Sequence, residues 1–175
     1  LGPRQSPIID AVAPEALATL RRFLGPSARD ADDLEGRGRC QVAAWMSAYA
    51  ISNGSLGLSH AIGHQLGGAC GVPHGVTSCI MLPHVMAYER PAKAERMAAL
   101  APAIGVDTRG LDVDGASRAF VAALRAFVAS LDVPTRLSEV GVGRDRFAEI
   151  AGHVVVESRG AVPHEDVMGL LEAAY

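Results

Sequence analysis

The sequence has none of the features that mark a membrane protein, a basic nucleic-acid binder or a disordered chain. Its 175 residues contain no run of the roughly 18 uncharged, apolar residues that a membrane span needs, and no signal peptide is recognisable. The net charge is −3, from 16 basic and 19 acidic residues, which excludes a strongly basic nucleic-acid binder and a polybasic membrane anchor. Because 49% of the residues are hydrophobic, the composition is that of a globular protein.

Cysteine is scarce and shows no redox or metal-binding spacing. Cys40, Cys70 and Cys79 form no CxxC pair, and their odd number suits a reducing compartment. With no membrane span and no signal peptide, we expect a soluble protein of the cytoplasm.

Two further absences concern the fold. The sequence contains no βαβ unit, no GxGxxG and no Walker loop, so the chain has no recognisable means of binding a nucleotide by itself. Alternating strand patterns are nearly absent, and the β-branched run at 154–156 is too short for a sheet. We therefore predict an all-α helical bundle, a single domain over 1–175 with seven to nine helices.

Apolar residues at spacings of three and four predict helices along most of the chain. The predicted helices span 10–25, 34–52, 56–70, 76–88, 91–104, 115–131, 144–156 and 165–174. Pro14 is expected in the first turn of its helix and Gly25 at its end, whereas Pro83 is expected to cause a kink or a break. The second helix carries a stripe that we expect to face the core, made of Val42, Trp45, Met46 and Tyr49.

The histidines are concentrated in one part of the chain. Four of the six lie within 25 residues, at His60, His64, His74 and His84. His60 and His64 are one helical turn apart and share a face, about 6 Å from each other. An unbroken helix would separate His60 from His74 by about 21 Å, too far for one metal ion. The glycines and the proline of 67–73 allow the chain to double back, which brings His74 opposite His60.

Clustered imidazoles are typical ligands of a divalent metal such as Fe²⁺ or Zn²⁺. Two or three imidazoles are too few for a working site, and no Asp or Glu lies between Leu56 and Tyr88, so a carboxylate must come from elsewhere. The alternative is that these are hydrogen-bonded histidines inside a helix bundle. The isolated His153 and His164 are given no functional role.

Three stretches of the chain carry a resemblance to a known family. They read GLSHAIGHQLGG at 57–68, VPHG at 72–75 and LPHV at 82–85. Their residues and spacing closely resemble the signature of the iron-containing alcohol dehydrogenases. The resemblance covers essentially the whole chain, which is similar to the C-terminal, helical metal-binding domain of a dehydroquinate-synthase-like two-domain fold.

The resemblance implies a role for three histidines. His60 and His74 match two of the four metal ligands of the family, and His64 matches a catalytic, cofactor-binding histidine that faces the nicotinamide and the substrate. The metal, Fe²⁺ or Zn²⁺, would act as a Lewis acid on the alcohol or aldehyde oxygen while hydride passes to or from NAD or NADP.

The family pattern is incomplete in this chain. The other two ligands come from a D-x-x-x-H motif just upstream of where this chain begins, and the N-terminal nucleotide-binding α/β domain is also absent. We therefore expect either a fragment of a longer protein or a natural short one, inactive by itself. In the intact protein we expect a homodimer that binds no nucleic acid and no membrane.

Two other functions stay open. Maleylacetate reductase, a relative that reduces an oxo acid with NAD(P)H and works in some cases without metal, frequently carries other residues at Gly75 and at 61–63. At these positions this chain has the residues that resemble the iron-containing alcohol dehydrogenases, which favours the alcohol dehydrogenase. The remaining alternative is a non-catalytic helical fragment that binds metal.

Overall fold

The structure, a computed structural model, describes residues 6–54 and 56–175. Seven α-helices account for most of them, and the described residues contain no β-strand, as the sequence predicts. The helices are α1 (Pro7–Arg29), α2 (Leu34–Asn53), α3 (Leu58–Cys70), α4 (His74–Leu100), α5 (Val113–Ala129), α6 (Phe147–Glu157) and α7 (His164–Ala173). Short 3-10 turns lie at Ala101–Ile104, Ser138–Val140 and Arg144–Arg146. No helix in the described ranges is both long and apolar enough to cross a membrane.

The helices form two compact units. The first comprises the described residues of Leu1–Leu56 together with Arg90–Leu131, and the second comprises Gly57–Glu89 and Asp132–Tyr175. The prediction of a single domain over 1–175 stays a prediction, and residues 1–5 and 55 within it lie outside the described part.

In the first unit, α1 packs along α2, and the 3-10 turn at Ala101–Ile104 contacts both α1 and α5. Its core includes Met97, which is fully buried, and the buried face of α5 around Phe120. Asp112 caps the start of α5 by accepting a hydrogen bond from the Gly115 backbone N–H at 2.7 Å.

The prediction that the stripe of Val42, Trp45, Met46 and Tyr49 on α2 faces the core is wrong. Val42 and Trp45 are 52% and 67% exposed, and Met46 and Tyr49 are only half-buried. The buried residues on this helix are the small Gly36 and Ala43. Because α2 carries apolar residues around its whole circumference, their spacing does not tell which face packs on α1.

Two expectations about prolines are also wrong. Helix α1 begins at Pro7, so Pro14 lies inside it, and Gly25 is buried within the helix instead of ending it. In α4 the residue that departs from helical backbone angles is Lys93, and none does so at Pro83. Met81 and Val85 on either side of Pro83 are fully buried. We infer that their packing stabilises the helix although Pro83 has no N–H to donate a backbone hydrogen bond.

The second unit is built from α3, the first part of α4, α6 and α7. Helix α6 packs against both α3 and α7. The largest fully buried side chains of this unit are Ile62, Leu66, Ile80, Met81, Val85, Leu137, Val142, Phe147, Ile150 and Leu171. The packing of α3 on α6 fixes the helix that carries two of the clustered histidines.

Candidate metal centre

Three histidines meet in the second unit. Helix α3 carries His60 and His64, and His74 is the first residue of α4. The His60 ring centroid lies 4.2 Å from that of His64 and 4.8 Å from that of His74, and both pairs meet edge to face. The centroids of His64 and His74 are 5.8 Å apart. The structure therefore brings together the three residues that the sequence singles out.

The turn between α3 and α4 produces this meeting. Helix α3 ends at Gly71, whose φ of 68° lies in the left-handed region that glycine adopts without strain. The Gly71 N–H donates to the Gly67 carbonyl at 3.0 Å, and the Val72 N–H contacts the Leu66 carbonyl at 3.5 Å. Gly67 and Gly68 lie inside α3, so of the glycines in 67–73 it is Gly71 at which the helix ends.

A second glycine allows the two helices to approach closely. A Cβ atom at Gly63 would lie 2.9 Å from Thr77 Oγ1 and 4.0 Å from His74 Cε1. Thr77 is fully buried, and its hydroxyl donates to the His74 carbonyl at 2.8 Å. The absence of a side chain at 63 therefore sets the separation between α3 and the start of α4.

A carboxylate at the end of α6, that of Glu157, contacts the cluster through His64. Glu157 Oε1 accepts a hydrogen bond from His64 Nδ1 at 3.0 Å, and Glu157 Oε2 accepts one from the Gln65 side-chain amide at 2.8 Å. Sequence reasoning missed Glu157, which follows His64 by 93 residues and belongs to no local motif.

The electrostatic environment of His60 favours the neutral imidazole. Burial lowers the pKa of His60 below its ordinary value, and the neighbouring rings of His64 and His74 lower it further. The carboxylate of Glu157 opposes this shift. A neutral imidazole is the form that binds a metal ion.

This shift predicts how the stability of the metal-free chain depends on pH. Well above the ordinary imidazole pKa of about 6.5, His60 is neutral in the folded and the unfolded chain and adds no pH dependence. As the pH falls below that value, the unfolded chain takes up the proton first, so the free energy of unfolding decreases. We expect His60→Gln to reduce this decrease, measured by urea unfolding with chelator present from about pH 7 to about pH 5. Equal slopes for the two proteins would contradict the prediction.

The cluster fits part of a metal centre. His60 and His74 offer two imidazoles in contact, and the lowered pKa of His60 favours the ligand form. Within the described ranges, no group of three or more His, Cys, Asp or Glu side chains is arranged to hold an ion. The two histidines would therefore supply part of a ligand set and need further ligands.

The other histidines occupy different positions in the second unit. His84 is half-buried on α4, and His153 is exposed on α6. His164 begins α7, where its Nε2 lies 3.3 Å from the Ala148 carbonyl oxygen.

Comparisons with known proteins agree on one family. A model described as the Fe-containing alcohol dehydrogenase family, C-terminal, matches residues 2–175. The NAD-dependent methanol dehydrogenase of Bacillus methanolicus is 33% identical over 137 residues, covering 78% of this chain and 36% of that protein. A maleylacetate reductase of Pseudomonas aeruginosa is 28% identical over 177 residues, covering 99% of this chain and 47% of its own length.

Solved structures give the same result. The crystal structure of a 1,3-propanediol oxidoreductase superposes with a TM-score of 0.95 at 26% identity, over 99% of this chain and 47% of that one. The chain therefore spans less than half the length of each of these three proteins.

Proposed function

Because the chain belongs to the Fe-containing alcohol dehydrogenase family, we propose that it forms the helical, metal-binding part of an NAD(P)-dependent oxidoreductase that interconverts an alcohol and an aldehyde or ketone. The observation that carries this proposal is the contact between His60 and His74, whose ring centroids are 4.8 Å apart across the turn at Gly71. These are two of the positions that carry the family resemblance. The relatives named for methanol and 1,3-propanediol support small alcohols as the substrate class.

We assign different roles to the three histidines. His60 and His74 are the proposed ligands of Fe²⁺ or Zn²⁺, through their neutral imidazoles. When bound, the metal supplies Lewis acidity toward the substrate oxygen, and the nicotinamide supplies the hydride acceptor or donor. His64 is proposed to face the nicotinamide and the substrate, where it orients the cofactor or relays a proton.

Nucleotide binding is assigned to another part of the enzyme. The sequence contains no GxGxxG and no Walker loop, and the chain spans 36% of the methanol dehydrogenase it matches. We expect the 175-residue chain alone to give no NAD(P)-dependent turnover, measured by nicotinamide absorbance with short-chain alcohols at saturating metal. Turnover by this chain alone would contradict the assignment.

Assembly and compartment complete the proposal. The free thiols of Cys40, Cys70 and Cys79 are compatible with the reducing cytoplasm. We propose a homodimer of the intact protein, which sedimentation velocity tests directly.

A second candidate function is maleylacetate reduction. The match to the Pseudomonas aeruginosa maleylacetate reductase over 99% of this chain favours it as the alternative within the same family. The residues Gly75 and 61–63 support the alcohol dehydrogenase over this alternative. A non-catalytic helical fragment that binds metal is the third candidate.

One experiment separates the three functions. The intact protein is purified, its metal content is measured, and its activity is assayed on short-chain alcohols and on maleylacetate, before and after thorough chelation. The proposal predicts alcohol turnover that chelation removes and that added Fe²⁺ or Zn²⁺ restores. Full maleylacetate reduction in a metal-free preparation would favour the reductase, and bound metal without turnover on either substrate would favour the non-catalytic fragment.

A further inference from the structure

Glu157 is the one carboxylate that the described structure shows bonded to the histidine cluster, and both of its oxygens are engaged there. Oε1 accepts from His64 Nδ1 at 3.0 Å, and Oε2 accepts from the Gln65 amide at 2.8 Å. The two partners are neighbours on α3, whereas Glu157 is the last residue of α6. The Glu157 carboxylate therefore links α6 to α3 and contacts the imidazole of His64.

The contact specifies which His64 nitrogen carries the proton. An ionised carboxylate only accepts hydrogen bonds, so Nδ1 of a neutral His64 must be the protonated nitrogen. The tautomer of a histidine is set by the partner of one ring nitrogen, and it decides what the other nitrogen does. Here the other nitrogen, Nε2, is the one left to accept a proton.

The carboxylate is itself held in place. The side chains of His64 and Glu157 are 45% and 34% exposed, so the pair lies at the edge of the protein and is not locked by burial. The hydrogen bond from Gln65 to Oε2 restricts rotation of the carboxylate and keeps Oε1 directed at His64. This second contact makes a fixed imidazole orientation possible at a half-exposed site.

From this geometry we propose that Glu157 is a positioning residue for His64. It holds the ring in the Nδ1–H tautomer, with Nε2 presented as a proton acceptor or as a contact for the cofactor. Glu157 acts through His64 and does not touch the reacting atoms, in the way that a carboxylate behind a catalytic imidazole fixes its tautomer and orientation. The functional meaning of this inference rests on the role proposed for His64.

The test is a spectroscopic one on the 175-residue chain. The chain is labelled with ¹⁵N at histidine, kept metal-free with chelator, and studied at a pH well above the ordinary imidazole pKa. The His64 Nδ1 is expected to show the chemical shift of a protonated ring nitrogen and Nε2 that of an unprotonated one. In Glu157→Ala the Nε2–H form is expected to become the major one, since free imidazole side chains in water favour it.

Two further variants make the outcome decisive. Glu157→Gln keeps the size of the side chain but leaves one acceptor oxygen for two donors, so it should lower the Nδ1–H population even if Glu157→Ala fails to fold. The matched control is Glu149→Ala, which removes another exposed carboxylate from α6, one paired with Arg146 at 3.1 Å. This control should keep the wild-type tautomer. A wild-type tautomer in a folded Glu157 variant, or an equal change in the control, would overturn the inference.

Kinetics of the intact enzyme provide a second measurement. Glu157→Ala is expected to lower kcat by about 10- to 100-fold with little change in KM, because the ring is misoriented but the substrate pocket is intact. An unchanged kcat would overturn the inference that the contact between Glu157 and His64 contributes to catalysis. The tautomer is measured without metal or substrate, so the spectroscopic result does not depend on the proposed dehydrogenase function. A failure of the tautomer assignment can therefore be distinguished from a failure of the proposed function.

Discussion

Replacing His60 or His74 with alanine is expected to remove both the bound metal and the turnover of the intact enzyme. Each substitution deletes one of the two imidazoles that meet with ring centroids 4.8 Å apart, and the remaining histidine cannot hold a divalent ion in the same place. The loss should exceed the roughly 10- to 100-fold effect typical of residues that only support a metal ligand. Metal content by elemental analysis and kcat/KM on a short-chain alcohol measure the two effects on the same sample.

Two other histidines in the same unit serve as controls for this prediction. His64→Ala is expected to keep the metal and to lower turnover by about 10²- to 10⁴-fold, the usual contribution of proton transfer by a positioned side chain. His153→Ala, at an exposed position on α6, should change neither quantity. A metal-free His64→Ala protein, or a His60→Ala protein that retains full metal and activity, would contradict the ligand assignment.

Adding a methyl group at Gly63 is expected to disturb the centre without replacing any of the proposed ligands. The new Cβ would lie 2.9 Å from the hydroxyl oxygen of the buried Thr77, closer than real Cβ contacts allow, so an atom there must shift, and we expect α3 and the start of α4 to move apart. Overpacking of this kind costs about 1–3 kcal/mol of stability. Displacement of His74 from His60 by about 1 Å should lower turnover about 10²-fold. Chemical unfolding and metal titration of Gly63→Ala measure the two consequences.

Helix α3 provides a matched control for this substitution. Gly68 lies on the same helix, and a Cβ there would meet no atom within 4 Å. Gly68→Ala should therefore leave the metal affinity unchanged. Combining Gly63→Ala with Thr77→Ala removes the hydroxyl in the way of the new methyl group, and should recover part of the lost metal affinity. Equal behaviour of Gly63→Ala and Gly68→Ala would show that the close approach at 63 is unimportant.

The helical fold and the histidine cluster were predictable because local patterns determine both. Apolar residues at spacings of three and four located α1, α2, α3, α5, α6 and α7 within a few residues of their observed ends, whereas α4 was predicted as two helices, 76–88 and 91–104. The one-turn spacing of His60 and His64, with a turn rich in glycine before His74, was sufficient to predict that the three rings share one site. The left-handed Gly71 is the residue that accomplishes the reversal.

Other features depend on contacts that the sequence does not display. The position of Glu157 relative to His64 is set by the packing of α6 on α3, between residues 93 apart. The exposure of Trp45 follows from which face of α2 meets α1, and an evenly apolar helix does not specify that face. Helix continuity through Pro83 likewise reflects buried neighbours that outweigh one lost hydrogen bond.

We propose that His60 and His74 hold the metal and that His64 does not. Anomalous diffraction from crystals of the intact, iron-loaded enzyme, collected on both sides of the iron absorption edge, tests it most directly. We expect a single iron peak about 2.0–2.2 Å from a ring nitrogen of His60 and of His74, with no such contact to His64. An iron peak bonded to His64, or a fully active enzyme with no metal beside His60 and His74, would contradict it.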